Sequence, residues 1–238
     1  MNKLLREMLL NEDPSQVEGL SRFFKTGPGQ YGEGDQFLGI KVPVTRSVVK
    51  ATWKELDLND LDECVKSRWH EVRLAALLAL VEIFSHSKKN PGLQEECVGF
   101  YLGHTDGINN WDLVDLSCYP LLGVWLLDKD RSILYDLAEK GKTIWEQRIG
   151  IVSTMTFIRH GQLDDTFRIA DILLHHPHDL IQKAVGWLLR EAGKRDEDAL
   201  TRFLRTRHDT MPRTMLRYAI ERFLEDKRQA FLARTRNC

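Results

Sequence analysis

His70-Glu-Val-Arg-Leu-Ala-Ala-Leu-Leu-Ala-Leu80 decides how the chain is read. Leu74, Leu77, Leu78 and Val81 recur at steps of three and four, the period of an α-helix. Three later stretches resemble it: Trp145-Glu-Gln-Arg-Ile-Gly-Ile-Val, Ile181-Gln-Lys-Ala-Val-Gly-Trp-Leu-Leu-Arg-Glu, and Met215-Leu-Arg-Tyr-Ala-Ile-Glu-Arg-Phe-Leu-Glu. Each sets a basic residue (Arg73, Arg148, Lys183, Arg217) before small and apolar ones. The separations are 75, 35 and 34, so one further unit fits near residues 110–122. Such a period, with two helices per unit, predicts a helical solenoid. Small residues at Ala75, Ala76, Gly150, Ala184 and Gly186 would let neighbouring helices pack closely. Helical period continues through Ile149, Val152, Met155 and Phe157-Ile158, and through Val185, Leu188 and Leu189, while alternating patterns are scarce. The expected fold is therefore all-α, an α–α superhelix with a concave inner face, as one domain over residues 1–238. Helix starts are expected around Pro43, Asn59, Pro91, Pro177 and Pro212.

The composition is that of an ordinary globular chain, with 42% hydrophobic and 29% charged residues. A net charge of -1 conceals an asymmetry: residues 181–238 hold 14 Lys and Arg against 8 Asp and Glu. That basic portion suggests a polyanionic partner. Cys64, Cys97, Cys118 and Cys238 are scattered with no CxxC pair, as expected of free thiols in a reducing compartment. Charges interrupt the apolar run at the N-terminus, so it reads as neither secretory signal nor membrane span. The expected location is cytoplasmic, in association with the nucleoid.

Several features invite a chemical reading. In Asn109-Asn-Trp-Asp-Leu-Val-Asp-Leu116, Trp111 and Asp115 stand four apart and share a helix face. Neighbouring residues are apolar through Leu121, Leu122 and Trp125, so Asp115 is either structurally paired or functional. Arg148 and Trp187 occupy similar places in their own repeats; with Asp115 and Trp111 they could form an aromatic and electrostatic cradle for a cationic ligand, or simply pack. Arg73, Arg148, Lys183 and Arg217 could line a groove and meet phosphates, or pair with acids of adjacent repeats. The Gly-rich stretch Lys25 to Phe37 cannot be helical and lacks a phosphate-loop pattern; it is a joining loop or a groove contact. His175-His-Pro-His178 lacks metal-ligand spacing and reads as an inter-repeat turn.

These residues resemble the DNA alkylation repair family of AlkD-type glycosylases. The resemblance rests on Ser21-Arg-Phe-Phe-Lys, Phe37-Leu-Gly-Ile-Lys-Val-Pro, Trp111-Asp-Leu-Val-Asp, Trp145-Glu-Gln-Arg and the stretch from Ile181 to Glu191. It implies HEAT-like repeats around a positively charged DNA groove. It implies hydrolytic release of cationic N3- and N7-alkylated purines from duplex DNA, without base flipping, by a monofunctional and monomeric enzyme needing no cofactor. The family's catalytic aspartate falls on Asp115, its groove tryptophans on Trp111 and Trp187, and its groove arginine on Arg148. Phe23, Arg73, Lys183 and Arg217 are the expected DNA contacts. Phe23 stands where some members carry tyrosine, and the Gly-rich loop is longer than expected. Two rival readings stay open: a non-catalytic binder of distorted DNA, and a protein-binding scaffold.

Overall fold

The structure is a computed structural model that describes residues 2–233; Cys238 and the last arginines of the basic portion, Arg234 and Arg236, lie outside the described residues. The described residues are helical, with no strand among them beyond an isolated bridge between Gln36 and Trp69. The chain divides into two compact units, residues 1–121 and 122–238. None of the described helices is long and apolar enough to cross a membrane.

The first unit contains α1 (Lys3–Leu9), α2 (Pro14–Phe23), α3 (Val42–Thr52), α4 (Leu58–Val65), α5 (His70–His86), α6 (Pro91–Gly103) and the short α7 (Trp111–Asp115). Their starts follow local chemistry. Pro43 sits in the first turn of α3, where a missing N–H costs nothing. Asp57 caps α4 in a reciprocal box with Asp60. Asn90 caps α6 ahead of Pro91, and Asn110 accepts from the Trp111 N–H to begin α7. Helix α5 is the axis of this unit, packing on α1, α3, α4, α6 and α7. Every residue from His70 to Leu80 is buried, so α5 is enclosed all round rather than along one stripe.

The second unit contains α8 (Ser132–Lys140), α9 (Ile144–Val152), α10 (Met155–Arg159), α11 (Asp164–Ile172), α12 (Asp179–Gly193), α13 (Glu197–Arg205), α14 (Arg213–Ala219) and α15 (Glu225–Leu232). The similar stretches found in the sequence form α9, α12 and α14, and each packs on its successor. Small residues make this possible: a Cβ on Gly186 would lie 2.5 Å from the Met215 carbonyl, and one on Gly150 would lie 2.8 Å from the Leu134 carbonyl. His175-His-Pro-His178 forms the turn before α12, where the His178 ring accepts from the Leu180 N–H. Three buried cysteines, Cys64, Cys97 and Cys118, form no disulfide among the described residues.

Candidate active site

The loop that follows Phe24 bends through Lys25 at φ 56° and returns to the core at Phe37. There the buried Glu71 carboxylate accepts the backbone N–H groups of Leu38, Gly39 and Ile40 at 2.9, 2.9 and 3.1 Å. A carboxylate with three N–H donors is a stable buried charge. Gly39 has φ 87°, and a Cβ there would fall 1.9 Å from the Asp13 carbonyl oxygen, so no other residue fits.

Beside this anchor lies an ionic chain. The His70 ring hydrogen-bonds Asp35 through Nδ1 and Asp112 through Nε2, both at 2.9 Å. Asp35 also takes the Arg73 guanidinium, which reaches Asn109 Oδ1 and the Ser67 carbonyl, both at 2.8 Å. Three separate segments are thus tied together: the Gly-rich loop, α5, and the lead-in to α7. Burial alone would lower the His70 pKa, but the hydrogen bonds and charges of Asp112 and Asp35 outweigh it and raise the group to about 9. The ring is therefore an imidazolium at neutral pH, donating on both sides. Burial pushes the Asp35 carboxyl up, but His70 and Arg73 more than offset it and hold it below the usual carboxylate range.

Around the imidazolium stands an aromatic cluster. Phe24 stacks on Phe37 with centroids 5.3 Å apart and on Trp111 at 5.6 Å. Its ring is 4.6 Å from His70, and Phe37 stacks on His70 at 4.8 Å. Phe23, 59% exposed, meets Trp111 edge-on at 5.8 Å. These rings wall a cavity of about 450 Å³ in the first unit. Trp111 and Asp115 both line it, as the four-residue spacing on α7 requires. Asp115 is half-buried, with a polar or electrostatic partner of its own. The cavity is apolar over most of its wall, with Asp112 and Asp115 as its acidic contributions from α7.

The other expected residues fall as follows. Arg73 is 5% exposed and bonds Asp35, Asn109 Oδ1 and the Ser67 carbonyl, so it is a member of the ionic chain. Arg148, in the second unit, is 6% exposed and donates through Nη1 to the Leu180 carbonyl at 2.5 Å. Lys183 is half-buried and pairs with Asp179 one turn earlier. Trp187 is half-buried on α12, and Arg217 is exposed on α14. Of the four repeated basic positions, the first two are interior and the last two reach the surface. Sequence reasoning passed over Phe24, His70, Asp35, Glu71 and Asp112. The signal was present: charges embedded in an α5 with no polar face must be buried and paired.

An all-helical chain with an acid beside a tryptophan in an aromatic cavity defines the class to which comparison can be made. The profile of the family described as DNA alkylation repair enzyme matches residues 4–223, and the chain belongs to that family. A solved structure from Enterococcus faecalis, described as a predicted DNA alkylation repair enzyme, shares the fold: TM-score 0.70 over 90% of this chain and 98% of that one, at 16% identity. No curated protein matches the chain.

Proposed function

We propose that this DNA repair protein is a monofunctional N-glycosylase that hydrolyses the glycosidic bond of cationic N3- and N7-alkylated purines in duplex DNA. The observation that carries the proposal is the joint exposure of Trp111 and Asp115 to one aromatic cavity. N-alkylation places a positive charge on the purine, which makes it a good leaving group. As the C1′–N bond breaks, its electron pair neutralises the purine and positive charge moves to the deoxyribose. The Asp115 carboxylate stabilises that oxocarbenium-like sugar and orients a water molecule. Water adds at C1′ and gives up a proton, leaving the free alkylpurine and an abasic site. The face of Trp111 favours the cationic centre before departure.

Trp187 and Arg148 enter this account through the family resemblance, as groove residues of the second unit. Arg217 and Lys183 are the surface cations of that unit suited to phosphate contact, and Phe23 is the exposed ring of the first unit suited to stacking against the duplex. The chemistry calls for no metal or redox cofactor, because the leaving group is already activated. The protein acts as a monomer, on a base left in the helix. The deciding experiment is release of 7-methylguanine and 3-methyladenine from methylated duplex DNA by the purified protein. Release above the spontaneous rate supports the proposal, and none at stoichiometric enzyme refutes it.

A further inference from the structure

We propose that His70 is a positioning residue, a clasp that holds α7 through Asp112 and so fixes Trp111 and Asp115 against the aromatic wall. The inference rests on the glycosylase reading for its link to catalysis, but the clasp itself stands on geometry. Helix α7 is five residues long, too short to hold its own shape in water. Something outside it must set its orientation. The Asp112 side chain points the other way from solvent, at 3% residue exposure, and its Oδ2 bonds to His70. Its Oδ1 has no hydrogen-bond partner among the described residues. Among the described residues, the contact from His70 is therefore the one hydrogen bond that holds this carboxylate. Three residues on, Asp115 takes its place on the cavity wall from the same short helix.

The clasp is charged, and it is strongest with both ring protons in place. Asp35, from the Gly-rich loop, faces Nδ1, and Asp112, from α7, faces Nε2. On α5 itself, Arg73 turns to Asp35 and Glu71 turns away to the backbone of residues 38–40. Asp115 and Lys41 line the adjoining cavity. Neutral imidazole carries a single N–H, so it can satisfy one aspartate and must present a lone pair to the other. Arg73 already serves Asp35. Among the described residues no second donor serves Asp112, so proton loss weakens the tie to α7 unless the N–H stays on Nε2. In that tautomer the ring nitrogen instead opposes Asp35, and the clasp is loosened at its other end.

The test uses the full-length protein and has two readouts. The first is the Trp111 indole N–H resonance, assigned by its loss in Trp111→Phe and followed from pH 6 to 10 beside the His70 ring signals. The two should move together with a midpoint near pH 9, and the Trp111 resonance should be insensitive to pH over that range in His70→Gln. A Trp111 resonance that ignores the His70 titration overturns the clasp, and this readout needs neither DNA nor activity. The second readout is single-turnover base release at pH 7.5. His70→Gln and Asp112→Asn should each lower cleavage about tenfold while DNA affinity stays within about twofold, and the double variant should be no worse than either alone. Additive losses that follow the melting temperature would make His70 a general stabilising residue and overturn the proposal. If the wild-type protein releases no base, the glycosylase reading fails, and the Trp111 titration still decides whether His70 clasps α7.

Discussion

His70-Glu-Val-Arg73 and Trp145-Glu-Gln-Arg148 open corresponding repeat helices in the two units, yet the structure uses them differently. In α5, Glu71 collects three buried backbone N–H groups from residues 38–40, and His70 links two aspartates. In α9, Glu146 is half-buried and accepts the Lys142 N–H just ahead of its own helix at 2.6 Å, while a buried Trp145 replaces the histidine. Arg73 joins the ionic chain; Arg148 donates to the Leu180 backbone carbonyl. The shared pattern makes both into repeat helices. The difference lies in what they secure: α5 ties down the loop and the short helix that carries Trp111 and Asp115, whereas Glu146 secures the entry to its own helix and Arg148 reaches the Leu180 carbonyl.

The largest contrast should appear when the two glutamates are removed. Glu71→Ala leaves three N–H groups buried without an acceptor, and should cost about 3 kcal/mol or more in urea unfolding. Glu146→Ala removes a local N-terminal contact and should cost about 1 kcal/mol or less. Equal losses at the two sites would erase the distinction between the helices.

Alkaline pH should sharpen the same contrast. The folded-state pKa of His70 is raised from 6.5 to about 9. Its stabilisation is therefore fully present below about pH 6.5 and is lost as pH rises through about 9. Melting temperature should fall between pH 7.5 and 10 in the wild type, and fall much less in His70→Gln. Asp35 has the opposite sign: its pKa is lowered, so its contribution is present above about pH 4 and is lost as pH falls through its depressed value. A wild-type and His70→Gln pair with parallel profiles above pH 7.5 would show that the imidazolium adds nothing to α5.

The smallest effect concerns the surface cations. Reversing charge at both Lys183 and Arg217 should weaken binding to all duplex sequences alike and make its salt dependence shallower, by about one in log–log slope for each phosphate contact removed. Reversal at the interior Arg73 should instead unfold the first unit, because its guanidinium is buried against Asp35. Unchanged duplex affinity in the Lys183 and Arg217 double variant, measured at two salt concentrations, would remove both from the DNA contact.

Much of the fold was legible because it is local. Apolar period, small residues at Gly150 and Gly186, and start signals at Pro91 and Pro43 act within a turn or two of where they stand. The Trp111 and Asp115 pair was legible for the same reason, since four residues make one helical turn. The ionic chain was not. His70 finds Asp35 and Asp112 at sequence separations of 35 and 42, which no periodicity connects. Phe24 was overlooked beside Phe23, because only packing decides which of two adjacent rings turns inward. For Arg73 the repeat pattern leaves two roles open, phosphate contact or pairing with acids. The enclosure of α5 on all sides, visible in its unbroken run of apolar residues after Arg73, argues for burial and pairing.

In the proposed mechanism Asp115 stabilises positive charge on the sugar as the base departs. Asp115→Asn keeps the shape and removes the charge. The interaction strengthens only as charge develops, so the loss belongs to bond cleavage and not to DNA binding. Single-turnover release of 7-methylguanine at saturating enzyme, with a melting curve and a duplex binding curve for each protein, separates the outcomes. The account predicts a folded variant with wild-type affinity whose cleavage is slower by on the order of 100-fold or more. A folded, DNA-binding Asp115→Asn that releases the base at the wild-type rate would contradict it.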